Sequence, residues 1–173
     1  VMTDVLDGRI GEGWAGESPD GCHINVVLAR RGSATAAAAV GTLASPRPGH
    51  TPFLVCLGPG TVVHPLTIFV NKTTIDSEGI GRLTWGAGQL GVGQGVLDAV
   101  ADGLLDAGEA PEITVLAAVF LDPGAGDETA LRRSCREATR AAIADALEPA
   151  SVEAVRALVE RRHDVANGYY GGE

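Results

Sequence analysis

The run Cys22-His23-Ile24-Asn25-Val26-Val27-Leu28 restricts the possible folds more than any other stretch of this chain. It is apolar enough for a core strand, yet polar residues hold two alternate positions. Side chains of a strand alternate between faces, so His23 and Asn25 point one way while Ile24, Val26 and Leu28 point the other. A strand carries that pattern at little cost when one face is buried and the other lines a cleft. The sequence has 173 residues, enough for one domain with a full core.

The flanking segments supply the rest of a sheet and its cover. Arg9-Ile10-Gly11-Glu12 reads as a short edge strand, and Pro19-Asp20-Gly21 is a turn signal ahead of Cys22. Ser33 is a natural N-cap for the alanine run that follows, which predicts a helix to about Leu43. Three prolines and a glycine make Ser45 to Pro52 a loop. Phe53 to Leu57 reads as a fully buried strand, and Leu66 to Thr74 as the next, with Ile68, Val70, Lys72 and Thr74 on one face.

Ala87 to Ala107 has apolar residues at helical spacing, notably Leu90, Val96, Leu97, Val100 and Leu104. Glycines interrupt it at a cost of about 1 kcal/mol each, which close packing against another element or a neighbouring subunit would explain. Ile113 to Leu121 is a continuous apolar strand. Asp127 can cap a long helix with the inward stripe Leu131, Cys135, Ala138 and Ala142, and Pro149 ends it. Ser151 to His163 is a further amphipathic helix, and Gly168 to Glu173 a loose tail. The order of elements predicts an α+β fold, a single domain with a mixed β-sheet packed against helices. The expected division is a main domain over residues 1–147 and a helical extension and tail over 148–173.

A formal net charge of −9 disfavours nucleic acid and anionic membranes as partners. The three cysteines, Cys22, Cys56 and Cys135, form no CxxC pair or Cys/His cluster, so neither a metal site nor a disulfide framework is expected. No secretory signal and no membrane-length apolar run is visible, and a cytoplasmic protein with reduced thiols is expected. Two GxGxxG matches, at Gly11 to Gly16 and Gly86 to Gly91, lack the strand and helix context of a dinucleotide site and are rejected. His50, His64 and His163 read as surface residues, Arg132-Arg133 as a solvated helix face, and Cys56 as a small hydrophobe. Lys72, at the end of an apolar strand, reads either as a snorkelling side chain or as a functional one.

Several runs together resemble the formaldehyde-activating enzyme family in order and spacing. They are His23-Ile24-Asn25-Val26-Val27-Leu28, Gly49-His50-Thr51-Pro52-Phe53-Leu54 and Val70-Asn71-Lys72-Thr73-Thr74-Ile75. Trp85-Gly86-Ala87-Gly88-Gln89 is similar to that family's FGPAQ segment, with small residues in place of its proline. Val119-Phe120-Leu121 and Glu137-Ala138-Thr139 fit its last strand and helix. The resemblance covers roughly Gly8 to Leu147. It implies condensation of formaldehyde with a tetrahydromethanopterin-like reduced pterin, which serves as co-substrate, with no tightly bound cofactor. It also implies a homopentamer with pterin held between subunits. The family's proton-donor histidine falls on His23, and its pterin-contacting positions fall on Asn25, Leu54, Lys72, Thr74 and Gln89. Asn25 departs from the family, which has aspartate there.

The chemistry suits these residue types. An amine adds to formaldehyde to give a carbinolamine, which must lose water to form an iminium ion. Hydroxide leaves poorly, so an acid at the carbinolamine oxygen accelerates the step by about 10²–10⁴-fold, and histidine, with an ordinary pKa near 6.5, suits that task. Asparagine can hydrogen-bond the substrate but supplies no negative charge. Two further readings stand beside the condensation: a paralogue using another amine or aldehyde, and a non-catalytic binder of formaldehyde or a pterin.

Overall fold

The computed structural model describes residues 6–148, 150–167 and 171. Strand β1 (Arg9–Ala15) is followed by β2 (Cys22–Arg30), helix α1 (Ala34–Gly41), the short strands β3 (Phe53–Leu54), β4 (Cys56–Gly58) and β5 (Thr61–Val62), and β6 (Leu66–Asn71). Helices α2 (Glu78–Leu83) and α3 (Gln89–Ala101), joined by a π-helical turn at Thr84–Gly88, lead to β7 (Ile113–Leu121), α4 (Glu128–Leu147) and α5 (Val152–Glu160). The main sheet has the order β1-β2-β7-β6-β3, with β6 and β7 parallel and the other neighbours antiparallel. This is the expected α+β architecture with a mixed sheet.

The alternation in β2 holds as read. Cys22, Ile24, Val26 and Leu28 are buried in the main core, while His23, Asn25 and Val27 on the opposite face are half-buried. Strand β1 alternates more sharply. Its exposed Ile10, Glu12 and Trp14 lie on the face of His23 and Asn25, and its buried Gly11 and Gly13 lie on the other. Those glycines exist for close approach. A Cβ at Gly13 would fall 2.0 Å from the Ala138 carbonyl oxygen, and one at Gly11 would fall 2.0 Å from that of Ala142. Helix α4 therefore lies directly on the edge strand. The match to a dinucleotide fingerprint at Gly11 to Gly16 is this packing device.

Asp127 caps α4 by accepting from the Thr129 and Ala130 backbone N–H groups, and Leu131, Cys135, Ala138 and Ala142 are all fully buried. The glycines of α3 have the same explanation as those of β1, with another helix as the neighbour. A Cβ at Gly91 would meet the Arg132 carbonyl oxygen at 2.4 Å, and one at Gly95 would meet that of Arg136 at 2.5 Å. Along this seam Arg132 donates to Gln94, Arg136 grips Asp98 through two hydrogen bonds, and Arg140 donates to Asp102. Arg132 is thus tied to α3 and is not part of a merely solvated face.

Several expectations change. The stretch Phe53 to Leu57 is two half-buried strands, with only Val55 between them fully buried. Its backbone N–H donates to Thr67 and its carbonyl accepts from Val63, so the chain leaves the sheet edge at this point for the β4–β5 hairpin. Strand β6 ends at Asn71, leaving Lys72 to Thr74 beyond it. Helical structure begins at Glu78, capped by Ser77, well ahead of the expected Ala87. The inward face of α3 is Gly91, Val92, Gly95, Val96 and Ala99, whereas Leu90 and Leu97 are exposed. The glycines admit α4 so closely that the small face, not the leucine face, turns inward. Helix α5 forms on the Ser151 cap as expected, and none of its residues is buried. The helix break expected at Pro149, and the tail at Gly168 to Glu173 apart from Gly171, lie outside the described residues.

Candidate active site

The face of the sheet opposite α4 carries the candidate groups, placed by register. Trp14, His23 and Phe120 are paired across β1, β2 and β7, and Glu12, Asn25 and Ala118 form the adjacent row. Val70 of β6 extends the second row beside Ala118. Ala118 is small, and Lys72, two residues beyond Val70 on the same face, reaches across β7 to β2.

Five side chains meet there. His23 Nε2 lies 2.7 Å from Glu12 Oε1, and the Trp14 indole N–H donates to the same oxygen at 3.0 Å. The Trp14 ring stacks on the imidazole with centroids 4.0 Å apart and an interplanar angle of 18°. On the other side, Lys72 Nζ lies 3.3 Å from His23 Nδ1 and also donates to Asn25 Oδ1. An ammonium has only donors, so Nδ1 must accept from it. That places the ring proton on Nε2, where Glu12 accepts it. Both nitrogens of His23 are engaged, and its side chain is 18% exposed.

The electrostatics follow from these contacts. Hydrogen bonds from Trp14 and then His23 hold the Glu12 carboxyl below the usual carboxylate range. Burial pushes the Lys72 ammonium below the usual lysine value, opposed by the Glu12 charge. Beneath the site, a hydrogen bond to Cys135 and burial hold the Cys22 thiol well above its usual value, so it stays un-ionised. A small cleft of about 80 Å³ opens beside His23, with Trp14, Pro19, Phe120 and Asp122 in its wall. It admits a molecule the size of formaldehyde but is far below the few hundred Å³ typical of sites for larger ligands.

Of the residues named from sequence, His23, Asn25 and Lys72 come together and the other three do not join them within one chain. Leu54 is on the same face, in the row of Ile68, Leu116 and Val27. It is three strands from β2, or about 14 Å at the usual strand spacing. Thr74 accepts or donates at 3.0 Å to His50 Nε2, whose Nδ1 lies 3.0 Å from the Asn71 carbonyl, so half-buried His50 pins this loop and is not a plain surface residue. Gln89 stands on the helical side of the sheet. Its Oε1 accepts from the Cys56 backbone at 2.9 Å and its Nε2 donates to the Trp85 carbonyl at 2.7 Å.

Glu12 and Trp14 were missed. Their signal was the alternation of large residues with glycine in Ile10-Gly11-Glu12-Gly13-Trp14, which marks a strand with one bare face and one furnished face. Among the described residues no cluster of three or more metal-ligating side chains occurs, and no helix is long and apolar enough to cross a membrane.

Comparison with known proteins gives a consistent result. Residues 10–169 match the family model described as formaldehyde-activating enzyme. The 5,6,7,8-tetrahydromethanopterin hydro-lyase of Methanosarcina barkeri is 37% identical over 148 residues, covering 86% of this chain and 83% of that protein. The bifunctional enzyme Fae/Hps of Archaeoglobus fulgidus is 31% identical over 143 residues, 83% of this chain and 36% of its own length. That of Methanospirillum hungatei is 30% identical over 162 residues, 94% of this chain and 41% of its own length. The chain thus spans little more than a third of these two bifunctional proteins.

Proposed function

The chain belongs to the formaldehyde-activating enzyme family, and on that footing we propose that it condenses formaldehyde with a reduced pterin of the tetrahydromethanopterin type to give the methylene derivative and water. The observation that carries this reading is the bracketing of His23 between the Glu12 carboxylate at 2.7 Å and the Lys72 ammonium at 3.3 Å. The imidazole is fixed in tautomer and orientation, beside a cleft sized for a one-carbon aldehyde. A proton delivered from His23 to the carbinolamine oxygen lets hydroxide leave as water, and Glu12 stabilises the imidazolium that carries that proton.

The pterin surface is incomplete in one chain. Leu54, Thr74 and Gln89 are held in place by Ile68, His50, Cys56 and Trp85, away from His23. We assign these three to the part of the site that a neighbouring subunit completes, in a homo-oligomer, specifically a homopentamer. Exposed Trp85, Leu90 and Leu97 support an interface beside Gln89. We place the reaction in the cytoplasm, in keeping with the free thiols of Cys22, Cys56 and Cys135.

The test is a direct one. Formaldehyde and tetrahydromethanopterin are mixed with and without the protein, and methylene product is followed with time. Wild type should exceed the spontaneous rate, and His23→Ala should lose about 10²–10⁴-fold of the enzymatic excess. A wild-type rate equal to that in buffer overturns the proposal.

A further inference from the structure

Resting on the condensation reading, we propose that Lys72 Nζ captures formaldehyde covalently and passes the carbon to the acceptor amine, so that Lys72 is a catalytic residue and not only a substrate-holding cation. The first ground is in the sequence. Lys72 is the single lysine among the thirteen Lys and Arg residues of the chain, the rest being arginine. An arginine guanidinium stays protonated at any working pH and offers no free amine lone pair. Lys72 is thus the one side-chain amine able to add to an aldehyde, and it stands in the site, on the face of His23 and Asn25.

The second ground is what surrounds it. An ammonium is no nucleophile, so capture requires Lys72 to shed a proton toward a nearby acceptor. His23 Nδ1, at 3.3 Å, is that acceptor, and the imidazolium formed keeps its Nε2 proton on the Glu12 carboxylate at 2.7 Å. A single proton shift therefore produces both the nucleophile and the acid. The partner at position 25 is neutral. Asn25 Oδ1 accepts from Lys72 without the fixed negative charge that an aspartate would bring, so the ammonium is held less firmly. Burial acts in the same direction on Lys72.

The steps balance without an oxidant or any further reactant. The Nζ lone pair forms a bond to the formaldehyde carbon, the carbonyl π pair moves to oxygen, and that oxygen takes up the proton released by nitrogen, giving a carbinolamine. The proton on His23 then goes to the hydroxyl oxygen, the C–O bond breaks, and water leaves an iminium on Nζ. The acceptor's amine attacks the iminium carbon. The acceptor nitrogen passes its proton to Nζ, and its freed lone pair then forms the new iminium as the C–Nζ bond breaks and Lys72 leaves as a neutral amine. The acceptor's second nitrogen closes the ring, and the proton it releases returns Lys72 to the ammonium.

The test treats the full chain with ¹³C-formaldehyde and cyanoborohydride at pH 7, without pterin, and reads N-methylation by peptide mass spectrometry. The polypeptide's terminal amine is the internal reference. Ordinary lysine and terminal amines ionise near 10.4 and 7.7–8.0, so a passive lysine should lag the terminus by on the order of 10²-fold. Lys72 is expected to match or outpace it, and to slow by about 10²-fold or more in His23→Gln, the usual contribution of one acid–base partner. Labelling that lags the terminus by the passive factor overturns the proposal. In the condensation assay Lys72→Arg keeps the cation but removes the nucleophile, and should lose about 10²-fold or more. Activity retained within about threefold would also overturn it. Fast labelling with pterin turnover no faster than in buffer overturns the pterin reading and leaves capture standing. Passive labelling with fast turnover does the reverse.

Discussion

Replacing Gly13 with alanine tests the packing that holds the site together. The added Cβ would lie 2.0 Å from the Ala138 carbonyl oxygen and 2.8 Å from the Ala142 nitrogen, whereas ordinary contact begins at 3.4 Å. Both obstacles are backbone atoms of α4 and cannot rotate away, so the strand or the helix must shift by more than about 1 Å. Overpacking of this kind costs about 3 kcal/mol, and relief of glycine's conformational entropy returns about 0.5–1 kcal/mol. A net loss of about 2 kcal/mol should lower Tm by about 4–8 °C for a chain of this size. Gly41→Ala is the matched control, because no heavy atom lies within 4 Å of its added Cβ and its φ is ordinary. It should leave Tm unchanged or slightly raised. Thermal denaturation followed by circular dichroism measures both. Activity well below Tm should fall as well, by up to about 10²-fold, since β1 also positions Glu12 against His23. If Gly13→Ala melts with wild type, α4 does not lie on β1 at this distance and the account of both β1 glycines is wrong.

Three other outcomes are expected. Glu12→Gln should lower kcat about tenfold by removing the charge behind His23, read from steady-state kinetics across pH. Its stability effect should be small, because the Glu12 side chain is 55% exposed. Asp98→Asn should lower Tm at pH 7. Arg136 holds the Asp98 carboxyl below its usual range, so this contribution is complete above about pH 4 and disappears as pH falls through the lower folded value. The Tm difference between that variant and wild type should therefore shrink as pH is lowered below about 4. Asn25→Asp should stabilise the Lys72 ammonium, move Lys72 labelling to higher pH, and slow it at pH 7 by up to about fivefold, the effect of an exposed ion pair of about 1 kcal/mol. Unaltered labelling across pH would show that Asn25 does not tune Lys72.

The parts legible in sequence were those set by local rules. The alternation in Cys22 to Leu28, the apolar run at Ile113 to Leu121 and the Asp127 cap all reappear as read. What the chain alone did not disclose depended on partners far away in sequence. The inward face of α3 could not be chosen correctly from Leu90 and Leu97, because Gly91 and Gly95 matter only when α4 is in place. Phe53 to Leu57 looked continuous because its switch from one sheet to another is a matter of hydrogen-bond partners, Thr67 and Val63, and not of composition. The meeting of Lys72 with His23 needed the β6–β7–β2 order, in which β7 lies between them. Glu12 was hidden by the same cause, since its pairing opposite Asn25 is a fact of register.

The charge count of the site couples Asn25 to Glu12. With an aspartate at position 25, two carboxylates would face one ammonium, and shifting a proton from Lys72 to His23 would leave a fixed anion beside a neutral amine. With Asn25 present, the site holds one carboxylate and one cation before and after that shift. The positive charge simply moves from Lys72 to His23, from the neutral amide toward Glu12. Attraction to Glu12 lowers the cost of the shift, because a carboxylate at hydrogen-bond distance from His23 stabilises an imidazolium more than a more distant ammonium. The asparagine does not weaken the acid. It removes the competing anion that would have kept the proton on lysine, and the edge strand, pressed against α4 through Gly11 and Gly13, supplies the carboxylate that draws the proton to histidine.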